Sequence, residues 1–203
     1  MLGVCLRPED YRSEWEFVEI QFEKSVSYNL DWKYSGPRFG IHAPYYVSLT
    51  SPKLQKVDDA INRIVEAGEV ARKLNADIVV TRAGFYSKRE PEEAMEVLAK
   101  NCREVMKKLS VPLGIETQPR RAQFGSLKEV LKIAEIGVVP VINVPAVIER
   151  EGEMDFGVLG SLKNPYIHFD MSIDLEKLAA ALPERYTLVA ESREAAIEMK
   201  ELV

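Results

Sequence analysis

Polar or ionisable side chains end six successive apolar segments of this 203-residue chain. In chain order these residues are His42, Arg82, Glu116, Asn143, His168 and Glu191. An ionisable group at the end of a buried strand is costly unless it is paired or takes part in chemistry. Carboxylates and imidazoles are groups that transfer protons or bind metal ions. Six such positions at the same end of successive strands predict one shared site, and a fold that gathers its strand ends in a ring.

Eight short apolar segments are expected to form the strands that carry these residues. The strands are predicted at Leu2–Leu6, Phe17–Phe22, Phe39–His42, Asp77–Thr81, Leu113–Glu116, Val139–Asn143, Tyr166–Phe169 and Thr187–Ala190. Amphipathic helices are predicted at Pro52–Leu74, Pro91–Leu109, Leu127–Ile136, Leu175–Leu182 and Glu194–Leu202. This alternation predicts an α/β protein, a small (β/α)8 TIM barrel formed by a single domain over residues 1–203.

The length is at the low end for such a barrel, so one or two helices must be reduced. The segment Glu23–Gly36 lacks a helical period, and Glu149–Pro165 is broken up by glycine and proline. The first is expected to lack a proper helix, and the second is expected to be a loop with one short helical turn. A doubly wound open sheet is the rival fold, but no glycine-rich phosphate loop follows the first strand.

The side chains of a barrel strand alternate between the lumen and the surrounding helices. Gln118 has the same parity as Glu116, and Asp170 has the same parity as His168. We therefore expect Gln118 and Asp170 to face the lumen beside the strand-end residues. These positions lie at the carboxyl ends of the strands, where barrel enzymes have their active sites.

The composition is that expected of a cytoplasmic protein without a membrane segment. The formal net charge of −5 argues against binding of nucleic acid, because such proteins usually present a basic face. No apolar run reaches the roughly 18 residues of a membrane span, and the N-terminal segment lacks the pattern of a signal peptide. Cys5 and Cys102 are expected to be buried free thiols, and the abundance of lysine and glutamate suits a thermophilic source. The oligomeric state stays open.

Several of these motifs resemble those of the xylose isomerase-like superfamily, and within it the endonuclease IV branch, AP endonuclease family 2. The most specific is Phe39-Gly40-Ile41-His42-Ala43-Pro44-Tyr45, which resembles the third strand and loop of endonuclease IV. The looser matches are Arg82-Ala83-Gly84, Gly114-Ile115-Glu116-Thr117, His168-Phe169-Asp170 and the final Glu191. The resemblance extends over nearly the whole chain, and it implies a TIM barrel.

The chain departs from the endonuclease IV pattern at its metal site. That family binds a trinuclear zinc cluster and cleaves DNA at abasic sites. Arg82, Asn143 and Ala146 stand here at positions where the family has zinc ligands. Arginine stays protonated and cannot bind a metal ion, and alanine has no ligand atom. A phosphodiesterase acting on abasic DNA is therefore an alternative function and not the first prediction.

The sugar isomerases and epimerases of the superfamily offer a closer pattern, with one divalent ion bound at strands five to eight. By this resemblance the ligands of a Mn²⁺, Mg²⁺ or Zn²⁺ ion would be Glu116, Asn143, His168 and Glu191. The catalytic acid/base pair would be Glu116 and Glu191. The substrate would be held by His42, Arg82, Gln118 and Asp170. The chain is thus predicted to be a divalent-metal-dependent isomerase or epimerase with a small, sugar-like substrate.

Arg82 leaves a third interpretation open. Its guanidinium could lie between Glu116 and Glu191 and neutralise both carboxylates, in place of a metal ion. The chain would then be a metal-free, non-catalytic barrel with a buried ionic network. The residues alone do not decide between a bound metal ion and this network.

Overall fold

Eight parallel strands form a closed barrel in the computed structural model, which describes residues 1–10, 14–22 and 37–203. The strands are β1 (Leu2–Leu6), β2 (Phe17–Gln21), β3 (Arg38–His42), β4 (Ile78–Thr81), β5 (Leu113–Glu116), β6 (Val139–Asn143), β7 (Tyr166–Phe169) and β8 (Thr187–Ala190). Each strand pairs with the next along the chain, and β1 pairs with β8 to close the ring. The barrel confirms the predicted fold class, and every strand end lies within one residue of its predicted position.

Helices of very different length surround the strands. In the described residues they are α1 (Leu54–Leu74), α2 (Pro91–Met106), α3 (Leu127–Ile133), α4 (Val144–Glu151), α5 (Gly157–Ser161), α6 (Leu175–Ala180) and α7 (Arg193–Lys200). All five predicted helices are found, with ends that differ by up to three residues. The prediction for Glu23–Gly36 lies outside the described residues. No helix in the described ranges is both long and apolar enough to cross a membrane.

The short helical turn predicted within Glu149–Pro165 is α5, and helix α4, which lies mostly before that range, is not among the predicted helices. Helix α4 begins directly after β6, because Asn143 ends the strand and also caps the helix: its Oδ1 accepts a hydrogen bond of 3.0 Å from the N–H of Ala146. Pro145 fits the first helical turn, where its missing N–H costs nothing. Gly152 ends the helix with a φ of 90°, a backbone conformation that favours glycine.

Two apolar layers hold the barrel together. The larger one lies between the strands and the helices. The smaller one fills the barrel interior and consists of Phe17, Ile78, Val80, Val141, Tyr166 and Val189. Val141, Tyr166 and Val189 precede Asn143, His168 and Glu191 by two residues, so they confirm the lumen-facing parity of β6, β7 and β8. The polar ends of the strands therefore rest on an apolar floor inside the barrel.

Candidate functional site

The carboxyl ends of the strands surround a cavity of about 350 Å³. Its lining includes Glu19, Gln21, His42, Tyr45, Arg82, Glu116, His168 and Glu191. These residues are far apart in sequence, but the carboxyl ends of parallel barrel strands all meet at one rim. The volume suits a small molecule.

His168 links two buried carboxylates across the lumen. Its Nδ1 lies 2.9 Å from Oε1 of Glu116, and its Nε2 lies 3.1 Å from Oε2 of Glu19. Burial lowers the pKa of His168, but the two carboxylates outweigh burial and hold that pKa well above its usual value. The ring is therefore an imidazolium that donates one N–H to each carboxylate.

Glu19 anchors His168 on the side of the ring that faces away from Glu116. The side chain of Glu19 is fully buried, and its Oε2 also accepts a hydrogen bond from the hydroxyl of Tyr166. Burial raises the pKa of Glu19, but the charge and hydrogen bond of His168 reverse this effect and leave the pKa lowered. Burial and the Glu19 charge raise the pKa of Tyr166 well above its usual value. Glu19 is thus an ionised carboxylate with two fixed donors.

Glu116 accepts hydrogen bonds on both carboxylate oxygens. Oε1 accepts from His168 and, at 3.0 Å, from Nδ2 of Asn143. Oε2 accepts from Nε2 of Gln118 at 3.0 Å and from Nε of Arg82 at 3.4 Å. Burial raises the pKa of Glu116, but the contacts with the histidines outweigh burial and hold the pKa well below its usual value. Glu116 is therefore an ionised carboxylate at the centre of the site.

Asn143 connects Glu116 to Glu191 at the mouth of the barrel. Its Nδ2 donates to Glu116 and also to Oε1 of Glu191 at 2.8 Å. The cap that its Oδ1 forms on α4 fixes the direction of the amide. Glu191 is exposed on one side, but partial burial of its carboxyl group raises the pKa, and the charges of Glu116 and Asp170 raise it further. The pKa values of Glu116 and Glu191 are thus shifted in opposite directions.

Arg82 lies over the ring of Tyr45, with its Cζ 4.2 Å from the ring centroid. Nε2 of Gln21 donates a hydrogen bond of 2.5 Å to the hydroxyl oxygen of Tyr45. The Arg82 side chain is 29% exposed and pairs with Glu116, whereas Glu191 is bonded to Asn143. Within the described residues the two η nitrogens of Arg82 make no hydrogen bond, so they can donate to oxygen atoms of a ligand in the cavity.

His42 presents one ring nitrogen without a partner. Its Nδ1 lies 2.8 Å from the carbonyl oxygen of Ala43, which can only accept, so Nδ1 carries a proton. Nε2 lies 3.5 Å from Oε2 of Glu116, too far for a good hydrogen bond. It has no partner among the described residues, although His42 is only 2% exposed. A ligand hydroxyl would give this buried nitrogen a hydrogen-bond partner.

The other two predicted substrate-binding residues do not line the cavity. Gln118 is buried and donates through Nε2 to Glu116 and to the carbonyl oxygen of Thr117, so it supports Glu116. Oδ1 of Asp170 accepts hydrogen bonds from the N–H and the hydroxyl of Ser172 in the turn before α6. Asp170 thus affects the site through its negative charge, which contributes to the raised pKa of Glu191.

Arg150 on α4 fixes the loop that follows β5. Its Nη1 donates to the carbonyl oxygens of Arg120 at 2.7 Å and of Gln123 at 2.9 Å. Its side chain is only 9% exposed. The loop that begins with Thr117 and Gln118 is therefore tied to the same helix that Asn143 caps.

Three residues of the site do not lie among the predicted strand-end residues: Glu19, Gln21 and Tyr166. Glu19 lies inside the apolar strand β2 and not at its end, and it has the same parity as Gln21. A single carboxylate within a buried strand is the signal that could have found it, because such a charge needs a partner.

The donor set as arranged does not fit a divalent metal ion. Of the predicted ligands, His168 uses both ring nitrogens as donors, and Asn143 directs its oxygen to the backbone of α4. The guanidinium of Arg82 lies beside Glu116, where it would repel a cation. In the described ranges no group of three or more His, Cys, Asp and Glu side chains is arranged to hold a metal ion.

Comparison with known proteins places the chain in a family. The profile of the xylose isomerase-like TIM barrel family matches residues 32–136, just over half of the chain. The chain therefore belongs to the xylose isomerase-like TIM barrel family. An uncharacterized protein of Methanocaldococcus jannaschii is 28% identical over 145 residues, which are 66% of this chain and 53% of that protein. The chain thus spans about half the length of this curated relative.

Solved structures with a similar fold include sugar epimerases. A D-tagatose 3-epimerase-like protein has a TM-score of 0.77 and 14% identity, over 99% of this chain and 94% of its own. A Thermus thermophilus protein from a crystal soaked with zinc chloride has a TM-score of 0.70 and 17% identity, over 100% and 97% of the two chains. D-psicose 3-epimerase from Clostridium cellulolyticum, solved with D-tagatose, has a TM-score of 0.64 and 13% identity, over 92% and 80%. At these sequence identities the structural similarity establishes the fold alone. Membership in the endonuclease IV branch stays a prediction.

Proposed function

We propose that this barrel is an isomerase or epimerase that moves a proton beside the carbonyl group of a small, sugar-like substrate. The observation that carries the proposal is the pair of carboxyl groups joined by Asn143, in which the pKa of Glu116 is lowered and the pKa of Glu191 is raised. Neighbouring titratable groups with opposite shifts are typical of acid/base sites. The fold shared with the sugar epimerases supports the class of substrate.

Glu191 is the proton-transferring group in this proposal. Its raised pKa brings the carboxyl group closer to a neutral working pH, and it lines the cavity. The Glu191 carboxylate takes a proton from the carbon next to the carbonyl, the C–H electron pair forms the C=C bond of an enediolate, and the negative charge moves to the carbonyl oxygen. The protonated Glu191 then returns the proton to the former carbonyl carbon, while the proton of the neighbouring substrate hydroxyl passes to the former carbonyl oxygen, so that the hydroxyl-bearing carbon becomes the new carbonyl carbon. One carboxyl group on one face of the substrate suffices for isomerisation, in which the proton goes to the neighbouring carbon.

The remaining cavity residues bind and orient the substrate. The η N–H groups of Arg82 donate to the carbonyl oxygen and stabilise the charge that develops there. Nε2 of His42 forms a hydrogen bond with a substrate hydroxyl. The lowered pKa of Glu116 makes it a weak base, so we assign Glu116 to the positioning of Arg82 and Asn143, and proton transfer to Glu191.

Exchange of substrate protons with solvent tests the proposal. The protein is incubated in D₂O with D-psicose, D-tagatose or D-fructose, the sugars named with the similar structures, and NMR follows deuterium incorporation and product. We expect exchange in the wild type and a rate about 100-fold lower in Glu191→Gln, because acid–base catalysis contributes about 10²–10⁴-fold. Glu176→Gln is the matched control, since it removes an exposed acid of α6 that does not line the cavity, and we expect it to keep the rate within a few-fold.

Absence of exchange with all three sugars, or an unchanged rate in Glu191→Gln, would contradict the proposal. The first result would favour the metal-free ligand-binding barrel. A duplex with an abasic site serves as a parallel substrate for the phosphodiesterase alternative, and we expect it to remain intact.

A further inference from the structure

We infer that the fixed guanidinium of Arg82 fills the role of a divalent cation in this barrel, and that the site binds no divalent metal ion. The inference rests on the proposed function only where Arg82 holds the carbonyl oxygen of the substrate. The part that concerns the metal ion depends on the side chains alone.

The lone pairs that a metal ion needs on Glu116 are already in use. The carboxylate accepts from His168, Asn143, Gln118 and Arg82. A carboxylate has about four lone-pair sites, so these four donors saturate it. Binding of a metal ion would displace at least one donor and leave a buried polar group unpaired.

His168 and Asn143 turn no acceptor towards the cavity. Each ring nitrogen of His168 lies within 3.1 Å of a carboxylate oxygen, so binding of a metal ion would require the ring to give up one of these contacts. Oδ1 of Asn143 accepts from the N–H of Ala146. Rotation of the amide would place its NH₂ group against the N-terminus of α4, where the free backbone N–H groups need a hydrogen-bond acceptor.

The buried carboxylates of the site are already paired without a metal ion. Glu116 contacts Arg82 and His168, and Glu19 contacts His168 from the other side of the ring. Glu191 is exposed at the mouth. A divalent cation among these carboxylates would lie beside the guanidinium of Arg82 in a partly buried site, where uncompensated charge is costly.

Arg82 is held as a fixed cation. Its guanidinium stacks on Tyr45, whose hydroxyl is bonded to Gln21, and its Nε contacts Glu116. A planar guanidinium presents paired N–H donors in a rigid fork. These donors match a carbonyl oxygen and a neighbouring hydroxyl of a sugar, the pair of oxygens that a metal ion would otherwise hold.

The two histidines make the inference directly testable, because the sequence contains no other imidazole. Nitrogen NMR of the ¹⁵N-labelled protein, freed of metal with EDTA, reports the protonation of each ring nitrogen, and His42→Gln assigns the signals. We expect both ring nitrogens of His168 to be protonated at neutral pH and to stay so when Zn²⁺ is added.

Calorimetry with Zn²⁺ and Mn²⁺ compares metal binding by the wild type and by Glu116→Gln. We expect it to detect no metal site that is present in the wild type and lost in Glu116→Gln. Glu191→Gln, at the exposed mouth, replaces Glu116→Gln in this comparison if the buried variant does not fold.

The outcomes separate the inference from the proposed function. A stoichiometric metal site of micromolar Kd, lost in Glu116→Gln or Glu191→Gln and accompanied by loss of a His168 N–H, would overturn the inference whatever the protein catalyses. Proton exchange that EDTA leaves unchanged supports both the inference and the function. Absence of metal binding together with absence of exchange supports the inference and rejects the function.

Discussion

The imidazolium of His168 lies between two carboxylates that are almost completely removed from solvent. Glu19 is 0% exposed and Glu116 is 2% exposed. Charges buried to this degree are tolerated when they are paired and their hydrogen bonds are satisfied. His168 provides the opposite charge and one N–H for each carboxylate. The stability of the barrel and the order of the site therefore depend on the same side chain.

We expect His168→Gln to lower the free energy of unfolding by about 3–5 kcal/mol, the usual cost of leaving a buried charge without its partner. The additional change Glu19→Gln is expected to recover part of this loss, because it removes one of the two carboxylates left without a counter-charge. Urea unfolding at neutral pH measures both proteins.

An exposed ion pair offers the matched control for this prediction. Arg72 pairs with Glu69 at 3.0 Å, and their side chains are 58% and 50% exposed. We expect Arg72→Gln to change the free energy of unfolding by less than about 1 kcal/mol. If His168→Gln were as stable as Arg72→Gln, the buried network would contribute nothing to the fold.

The sequence predicts the residues of the site better than it predicts their partners. Five of the six strand-end residues line the cavity, and the sixth, Asn143, bonds the two predicted catalytic carboxyl groups. Their gathering follows from the parallel barrel. Glu19 could not be placed by the same reasoning, since its role depends on the distance across the lumen to His168. Sequence parity alone also cannot foresee that Asp170 turns back to Ser172.

At the level of elements, the strands were predictable because each is a short apolar run that stops at a polar residue. Helix starts were predictable where a side chain marks them: Pro91 begins α2, and Asp174 caps α6 through the N–H of Lys177. Helix α4 was not predictable in this way, because Asn143 looks like a strand end and serves as a helix cap as well. One residue with two structural roles hides the boundary between two elements.

Helix α3 begins with a reciprocal cap that contains a shifted carboxyl group. Oγ of Ser126 accepts from the N–H of Glu129 at 3.3 Å, and the Glu129 carboxylate accepts from the N–H of Ser126 at 2.9 Å and from the hydroxyl of Tyr86 at 2.6 Å. Burial raises the pKa of Glu129, but these hydrogen bonds outweigh burial and leave the pKa lowered. Burial and the contact with Glu129 raise the pKa of Tyr86 to about 12.

We expect Glu129→Gln to change how stability depends on acid pH. A carboxyl group whose folded pKa lies below its unfolded pKa of about 4.3 stabilises the fold above that value, and the contribution is lost as pH falls through the folded pKa. The wild type is expected to exceed the variant by about 1–2 kcal/mol near neutral pH, and the difference is expected to shrink below about pH 4. Urea unfolding over a pH series measures the difference.

Tyr86→Phe tests the cause of this pH dependence, because it removes one donor to Glu129 and leaves the cap of α3 in place. We expect a smaller loss of stability than in Glu129→Gln, with the same decrease towards acid pH. A difference between wild type and Glu129→Gln that stayed constant at every pH would show that the carboxyl group is not stabilised in its ionised form.

Across the whole barrel, the polar site and the apolar floor are joined through Tyr166. Its ring packs edge to face on Phe17 with centroids 5.9 Å apart, and its hydroxyl donates to Glu19. Glu19 in turn holds His168 and, through it, Glu116. We therefore expect a change in packing on the floor to reach Glu116 through direct contacts.

The close approach of Tyr166 to β3 gives a test of this connection. A Cβ atom added at Gly40 would lie 2.7 Å from the hydroxyl oxygen of Tyr166 and 3.0 Å from Cζ of Phe17. The Tyr166 hydroxyl cannot move aside freely, because it is bonded to Glu19 and enclosed in the lumen. We expect Gly40→Ala to lower the free energy of unfolding by about 1–3 kcal/mol, as overpacked cores do.

Gly160→Ala is the matched control, because an added Cβ there would meet nothing closer than the carbonyl oxygen of Ala181 at 3.5 Å. Gly160 lies in α5, so this change is expected to be neutral or to stabilise by up to about 1 kcal/mol.

Tyr166→Phe in the Gly40→Ala background removes the hydroxyl that the new methyl group contacts, so the double variant is expected to be more stable than the sum of the single changes predicts. Strict additivity in urea unfolding would show that the methyl group is accommodated without displacing Tyr166. Non-additivity, together with altered ring-nitrogen NMR signals of His168 in Gly40→Ala alone, would show that the floor of the barrel sets the geometry of the site above it.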